Sequence, residues 1–160
     1  MLFRSRLALS LTDQPIYFAT ARIWDEEFKE RVKRHQARRG DNWTNIEEEK
    51  YLSHHTIYNK VCVVDCITLW CTNFFFDANQ NNPKEPVIDE ALDAIKKEFD
   101  QFTAQDATFI FVTNEIGSGG VSDNVVQRRF TDMEGWMNQY VASKADEVVL
   151  MVSGIPVKIK

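Results

Sequence analysis

A chain of 160 residues that is 44% hydrophobic and 12% aromatic can bury a core, which excludes a disordered polypeptide and points to one globular domain. A net charge of -5 and a pI near 5.2 exclude a general polyanion binder, because nucleic-acid binding rests on a basic surface; any phosphate chemistry must be local. Cys62, Cys66 and Cys71 lie in one apolar stretch without a C-x-x-C pair and read as buried reduced thiols. No apolar run approaches the roughly 18 to 20 residues that span a bilayer, and no secretory leader opens the chain, so a cytoplasmic protein without a membrane span is expected.

Along the chain, residues 16–20 form a short apolar and aromatic run after Pro15, the pattern of a buried strand. Residues 25–39 set Phe28 and Val32 at helical spacing among many charges, and Gly40-Asp41-Asn42 supplies turn chemistry after them. Residues 43–47 suit an edge strand. A polar connection with His54 and His55 follows, and then Val61–Asp65, a continuous apolar run closed by an acid, which is the pattern of a central parallel strand. Phe74–Phe76 fall on the next helix, and residues 79–83 make a turn-rich break. Leu92, Ile95, Phe99 and Phe102 mark an amphipathic helix over 88–102, and 108–113 form a third buried strand. The glycine-rich stretch 114–120 leads to Ser122, a cap for a helix reaching Lys144, and strands are expected at 148–152 and 155–160. Strands alternating with helices imply an α/β fold with a mostly parallel sheet covered on both faces.

Open parallel sheets bind ligands at the carboxyl ends of their strands. Four places therefore matter: Thr20-Ala21-Arg22, Asp65 with Thr68, Asn114-Glu115, and Ser153-Gly154. An acid that ends an apolar strand can hold Mg²⁺ near nucleotide phosphates, or it can simply cap a neighbouring helix. His35 follows Phe28 and Val32 on its helix, among Arg31, Lys33, Arg34, Arg38 and Arg39. Either it packs beside the core under a solvated basic face, or it is a nucleophile for phosphorus with guanidinium groups to hold the phosphate oxygens. His54 and His55 are adjacent, so they diverge, suit no common metal site and read as surface residues. The loop Gly117–Gly120 has no following Lys-Ser/Thr and reads as a turn rather than a phosphate cradle.

Five segments in order resemble the adenosylcobinamide kinase/adenosylcobinamide-phosphate guanylyltransferase family of cobalamin assembly. They are Tyr17-Phe18-Ala19-Thr20-Ala21-Arg22; Arg31-Val32-Lys33-Arg34-His35 with Arg39 and Trp43; Val64-Asp65-Cys66-Ile67-Thr68 with Asn73; Val112-Thr113-Asn114-Glu115-Ile116-Gly117; and a C-terminal block. That block runs from Arg129-Phe130 through Asn138-Gln139 and Ala145-Asp146-Glu147-Val148 to Val152-Ser153-Gly154-Ile155-Pro156-Val157-Lys158. The resemblance implies a P-loop NTPase (RecA-like) fold. It also implies two reactions: phosphorylation of adenosylcobinamide, and transfer of GMP from GTP to adenosylcobinamide phosphate through a GMP-histidine intermediate, giving adenosylcobinamide-GDP. His35 stands at the position of the guanylylated histidine, which favours the nucleophile reading. Thr20, Ala21, Arg22, Arg38, Arg39, Glu47, Asp65 and Thr68 match segments that line the nucleotide site, and Glu115 is a further candidate.

The implied cofactors are GTP or ATP as substrate and Mg²⁺ on Asp65; the implied partners are adenosylcobinamide, its phosphate and further copies of the chain in a homo-oligomer. The family's opening strand and glycine-rich loop of the form G-G-x-R-S-G-K-S have no counterpart here, where Met1–Arg6 lead directly into Leu7–Leu11. The expectation is one nucleotide-binding domain over 1–160 that lacks its first strand and phosphate loop, with 1–6 a leader foreign to the family and activity impaired. A non-catalytic corrinoid- or nucleotide-binding paralogue or subunit is the alternative.

Overall fold

The computed structural model describes residues 3–37 and 40–160, with backbone alone at Phe28, Arg31, His35 and Ala37. Helix α1 (Phe3–Leu11) leads into strand β1 (Ile16–Ala19), helix α2 (Glu26–Ala37), strand β2 (Thr44–Glu47) and strand β3 (Val61–Asp65). Helices α3 (Ile67–Ala78) and α4 (Asp89–Thr103), strand β4 (Thr108–Val112) and helix α5 (Val125–Lys144) follow, and strands β5 (Val149–Val152) and β6 (Ile155–Lys158) close the chain.

The first four strands form one parallel sheet in the order β2-β1-β3-β4. The apolar run Val61–Val64 is buried at every position, as a central strand with both faces covered requires. Strand β2 lies at the edge, as its mixed polarity implies.

Alternation along the strands divides the core in two. On one face Tyr17, Val61 and Val63 pack with Ala8 of α1. On the other, Phe18, Cys62 and Val64 join Trp70 and Phe75 of α3, Ile95 and Phe102 of α4, and Met133 and Met137 of α5. Trp70 is fully buried and donates through Nε1 to the Lys50 carbonyl at 2.8 Å, which satisfies its single polar atom.

Two expectations need correction. The last two strands do not extend the parallel sheet. They pair with each other as an antiparallel ribbon, because Ser153 (φ 51°) and Gly154 (φ 81°) form a two-residue turn with both dihedrals positive, a connection too short for parallel pairing. The cap of α5 is Asn124, whose side chain accepts from the Gln127 amide at 3.2 Å; Ser122 instead accepts from the Asn124 amide.

Candidate active site at the carboxyl ends of the strands

Parallel register puts Glu47, Ala19, Asp65 and Val112 in one row at the carboxyl edge of the sheet, with their side chains on the α1 face. Asp65 ends β3 in that row, between Ala19 and Val112. Its Oδ2 accepts from the Tyr17 hydroxyl and from the guanidinium of Arg4, in the first turn of α1. Both partners of the ion pair are largely shielded, with Arg4 17% and Asp65 18% exposed, and the Arg4 Nε is buried without a hydrogen-bond partner. Burial, reinforced by the neighbouring Asp65 charge, pushes the Tyr17 hydroxyl up to about 12, so Tyr17 remains a donor.

Just past β3, Thr68 sits in the first turn of α3 and reaches across to the end of β4. Its hydroxyl donates to Glu134 Oε1 at 3.0 Å and accepts from the Asn114 backbone amide at 3.2 Å and from Asn114 Nδ2 at 2.9 Å. Thr113 contacts Asn138 Oδ1 at 2.6 Å and Glu134 Oε1 at 3.2 Å, and Asn138 Nδ2 donates to the Asn114 carbonyl at 2.9 Å. Glu115 follows on the exposed side of this turn.

On the opposite flank, Gln36 of α2 donates to the carboxylate of Glu47, which sets the last turn of α2 beside the end of β2. His35 is the preceding residue of that turn; its side chain, and the whole of Arg38 and Arg39, lie outside the described residues. Thus Glu47, Asp65, Thr68 and the Asn114-Glu115 turn share one edge of the sheet.

Other expected residues are engaged elsewhere. The Thr20 hydroxyl is fully buried and brackets Cys66, donating to its carbonyl at 2.8 Å and accepting from its amide at 2.9 Å. Arg22, beyond Ala21, is closed in an ion cluster, bidentate on Asp77 at 2.6 and 3.0 Å and bonded to Glu49 at 2.6 Å, with Lys50 also on Asp77. Ser153-Gly154 is the turn of the β5–β6 ribbon. His54 and His55 diverge as expected: His54 stacks on Tyr51, while His55 packs edge-on against Phe18 and faces Glu48. Glu134 is not singled out in the sequence, and Asn138 enters it only within the C-terminal block of the resemblance, because acids and amides inside a helix usually face water. The stripe Phe130, Met133, Met137 and Val141, all part of the core, was the available cue, since it carries 134 and 138 inward with it.

The chain matches the family described as cobinamide kinase / cobinamide phosphate guanyltransferase over residues 3–159, a span that begins inside the first six residues. It is 35% identical to the bifunctional adenosylcobalamin biosynthesis protein CobU of Escherichia coli, over 93% of this chain and 87% of that protein. The protein of the same name from Salmonella typhimurium is 35% identical over 92% of this chain and 86% of its own length. The bifunctional adenosylcobalamin biosynthesis protein CobP of Pseudomonas aeruginosa is 30% identical over 98% and 91%. With the parallel sheet, its acid-ended central strand and this continuous match, the chain belongs to the cobinamide kinase/cobinamide phosphate guanylyltransferase family.

Proposed function

We propose that the chain is a transferase of cobalamin biosynthesis that uses GTP, or ATP for the kinase step, on adenosylcobinamide. The observation that supports this reading is the gathering of Glu47, Asp65, Thr68 and the His35 turn of α2 at one carboxyl edge of a parallel sheet, the place where such sheets bind ligands. In the first reaction a terminal phosphoryl group passes from the nucleotide to the aminopropanol hydroxyl of adenosylcobinamide. In the second, an imidazole nitrogen of His35 bonds to the α-phosphorus of GTP as the bond from that phosphorus to the bridging oxygen breaks, and pyrophosphate leaves. A phosphate oxygen of adenosylcobinamide phosphate then attacks the same phosphorus, the phosphorus–nitrogen bond breaks, and His35 returns to its neutral form.

The segments Thr20-Ala21-Arg22, Arg38-Arg39, Glu47 and Thr68 are assigned to the nucleotide site; Thr20 itself is fully buried, with its hydroxyl on Cys66, its N–H on the Asp65 carbonyl and its own carbonyl taken by Asn73, so it shapes the turn after β1. Among the described residues no three His, Cys, Asp or Glu side chains gather into a metal cage. A lone carboxylate such as Asp65 instead fits Mg²⁺, which keeps waters and binds through one or two carboxylates and substrate phosphates. That ion would neutralise phosphate charge, once Asp65 exchanges Arg4 for it. No helix among the described residues is long and apolar enough to cross a membrane; a cytoplasmic homo-oligomer completes the reading.

A second reading, a nucleotide- or corrinoid-binding subunit without turnover, is favoured by one observation: Arg4 and Tyr17 already occupy Asp65. Incubation with Mg²⁺, adenosylcobinamide phosphate and GTP labelled in its α-phosphate separates the two. Label in a corrinoid product, with pyrophosphate released, is expected; bound but unconverted GTP supports the second reading.

A further inference from the structure

Glu134 is an acid on a helix face that otherwise faces the core: Met133, Glu134, Met137 and Asn138 are all buried, and Glu134 is only 1% exposed. Burying a carboxylate in apolar surroundings costs several kcal/mol unless its bonds are made. Where its bonds go is therefore informative. They go to Thr68 and Thr113, which tie together the start of α3 and the end of β4.

The hydrogens of this cluster can be counted. Asn114 presents only donors to Thr68, its backbone N–H and its side-chain Nδ2, so the Thr68 hydrogen must point to Glu134 Oε1. The Asn138 amide is oriented by the Asn114 carbonyl, which takes Nδ2 and leaves Oδ1 facing Thr113 at 2.6 Å. Thr113 has one hydrogen, and that short contact consumes it. The remaining contact, Thr113 Oγ1 to Glu134 Oε1 at 3.2 Å, is a hydrogen bond only when Glu134 supplies the proton.

We propose that Glu134 is a positioning residue: as a neutral carboxylic acid it donates to Thr113, accepts from Thr68, and so fixes Thr68 and the Asn114-Glu115 turn beside Asp65. The groups facing it agree with a neutral acid. Cys71 of α3 is a buried thiol, Glu115 after β4 adds like charge, and Thr68, Thr113 and Asn138 are neutral. Burial pushes the Glu134 carboxyl up, with the hydrogen bond that Thr68 donates opposing it. Glutamine cannot substitute, because one atom at the Oε1 position cannot both accept from Thr68 and donate to Thr113 unless it is a hydroxyl.

The assignment rests on the transferase reading above, and its test separates the two. Covalent guanylylation from α-labelled GTP is followed in wild type, Glu134→Gln, Glu134→Met and Thr68→Val, and the carbonyl stretch of a protonated carboxyl is sought by infrared difference between wild type and Glu134→Gln at neutral pH. The expected result is a protonated band that Glu134→Gln removes and a half-saturating GTP concentration about tenfold higher in each variant, the size of a lost buried hydrogen bond. Glu134→Gln/Thr68→Val should then be no worse than either single change. A residue needed only for folding would lower the labelled fraction and leave that concentration unchanged, which would overturn the assignment, as would wild-type saturation in Glu134→Gln and Glu134→Met or the absence of the band. Failure of wild type to label refutes the transferase reading before any variant is compared, and the positioning role falls with it.

Discussion

The guanidinium of Arg4, in the first turn of α1, bonds the carboxylate of Asp65, the last residue of β3 and the acid most exposed to ligand chemistry on the sequence argument. That acid is therefore also a structural tie. It closes α1 onto the sheet together with Tyr17, and it leaves the buried Arg4 Nε with no other compensation.

A double-mutant cycle on Arg4→Ala and Asp65→Asn should accordingly show a coupling of roughly 0.5 to 3 kcal/mol in urea unfolding, the range for directly bonded residues. Asp65→Asn alone should lower the unfolding midpoint because it strands a shielded cation, and it should also abolish Mg²⁺-dependent transfer. Additive effects of the two changes would show that the ion pair contributes nothing to folding.

Arg22 gives a prediction with a sign. The Arg22 guanidinium holds the Asp77 carboxyl well below its usual value of 3.8, with burial opposing and Lys50 assisting. A depressed acid contributes stability that is present above its unfolded value and lost as pH falls below it. Arg22→Ala should therefore destabilise the protein near neutral pH, and its difference from wild type should shrink below about pH 4. Urea midpoints at about pH 7 and about pH 3 check this; a difference that does not change with pH would remove Asp77 from the account.

How much of this was legible in the sequence follows from what each residue reports. Val61–Asp65 is legible because a short unbroken apolar run, mostly β-branched, suits a strand covered on both faces, which puts the Asp at the carboxyl edge of the sheet. The β5–β6 ribbon was misplaced because apolar runs announce strands but not partners; the two-residue turn at Ser153-Gly154 carried that information. Arg22 is legible as a residue just after β1 but not as the partner of Asp77, which is 55 positions away and joined to it by no local pattern. Glu134 was invisible for the same reason, its bonds to Thr68 and Thr113 being made only by the folded chain.

The three cysteines are all buried and unpaired, and burial pushes the Cys62 thiol up to about 12 and the Cys66 and Cys71 thiols above their ordinary range. Thiolate is the reactive form. An aromatic disulfide reagent at mildly alkaline pH should therefore find almost no reactive thiol in the native protein and all three cysteines after denaturation in urea. Prompt native labelling at any of them would contradict the burial of that residue.

The central claim is that His35, on the turn of α2 that Gln36 anchors to Glu47, carries GMP between GTP and the corrinoid phosphate. Wild type and His35→Ala are incubated with Mg²⁺ and α-labelled GTP without corrinoid, and protein-bound label is measured after denaturation. Wild type should acquire label with release of pyrophosphate, in a bond that survives alkali and is lost in mild acid, as a phosphorus–nitrogen bond is once its nitrogen is protonated. His54→Ala and His55→Ala should label like wild type, and His35→Ala should not label at all. Acid-labile label on His35→Ala would contradict the account and place the nucleophile elsewhere.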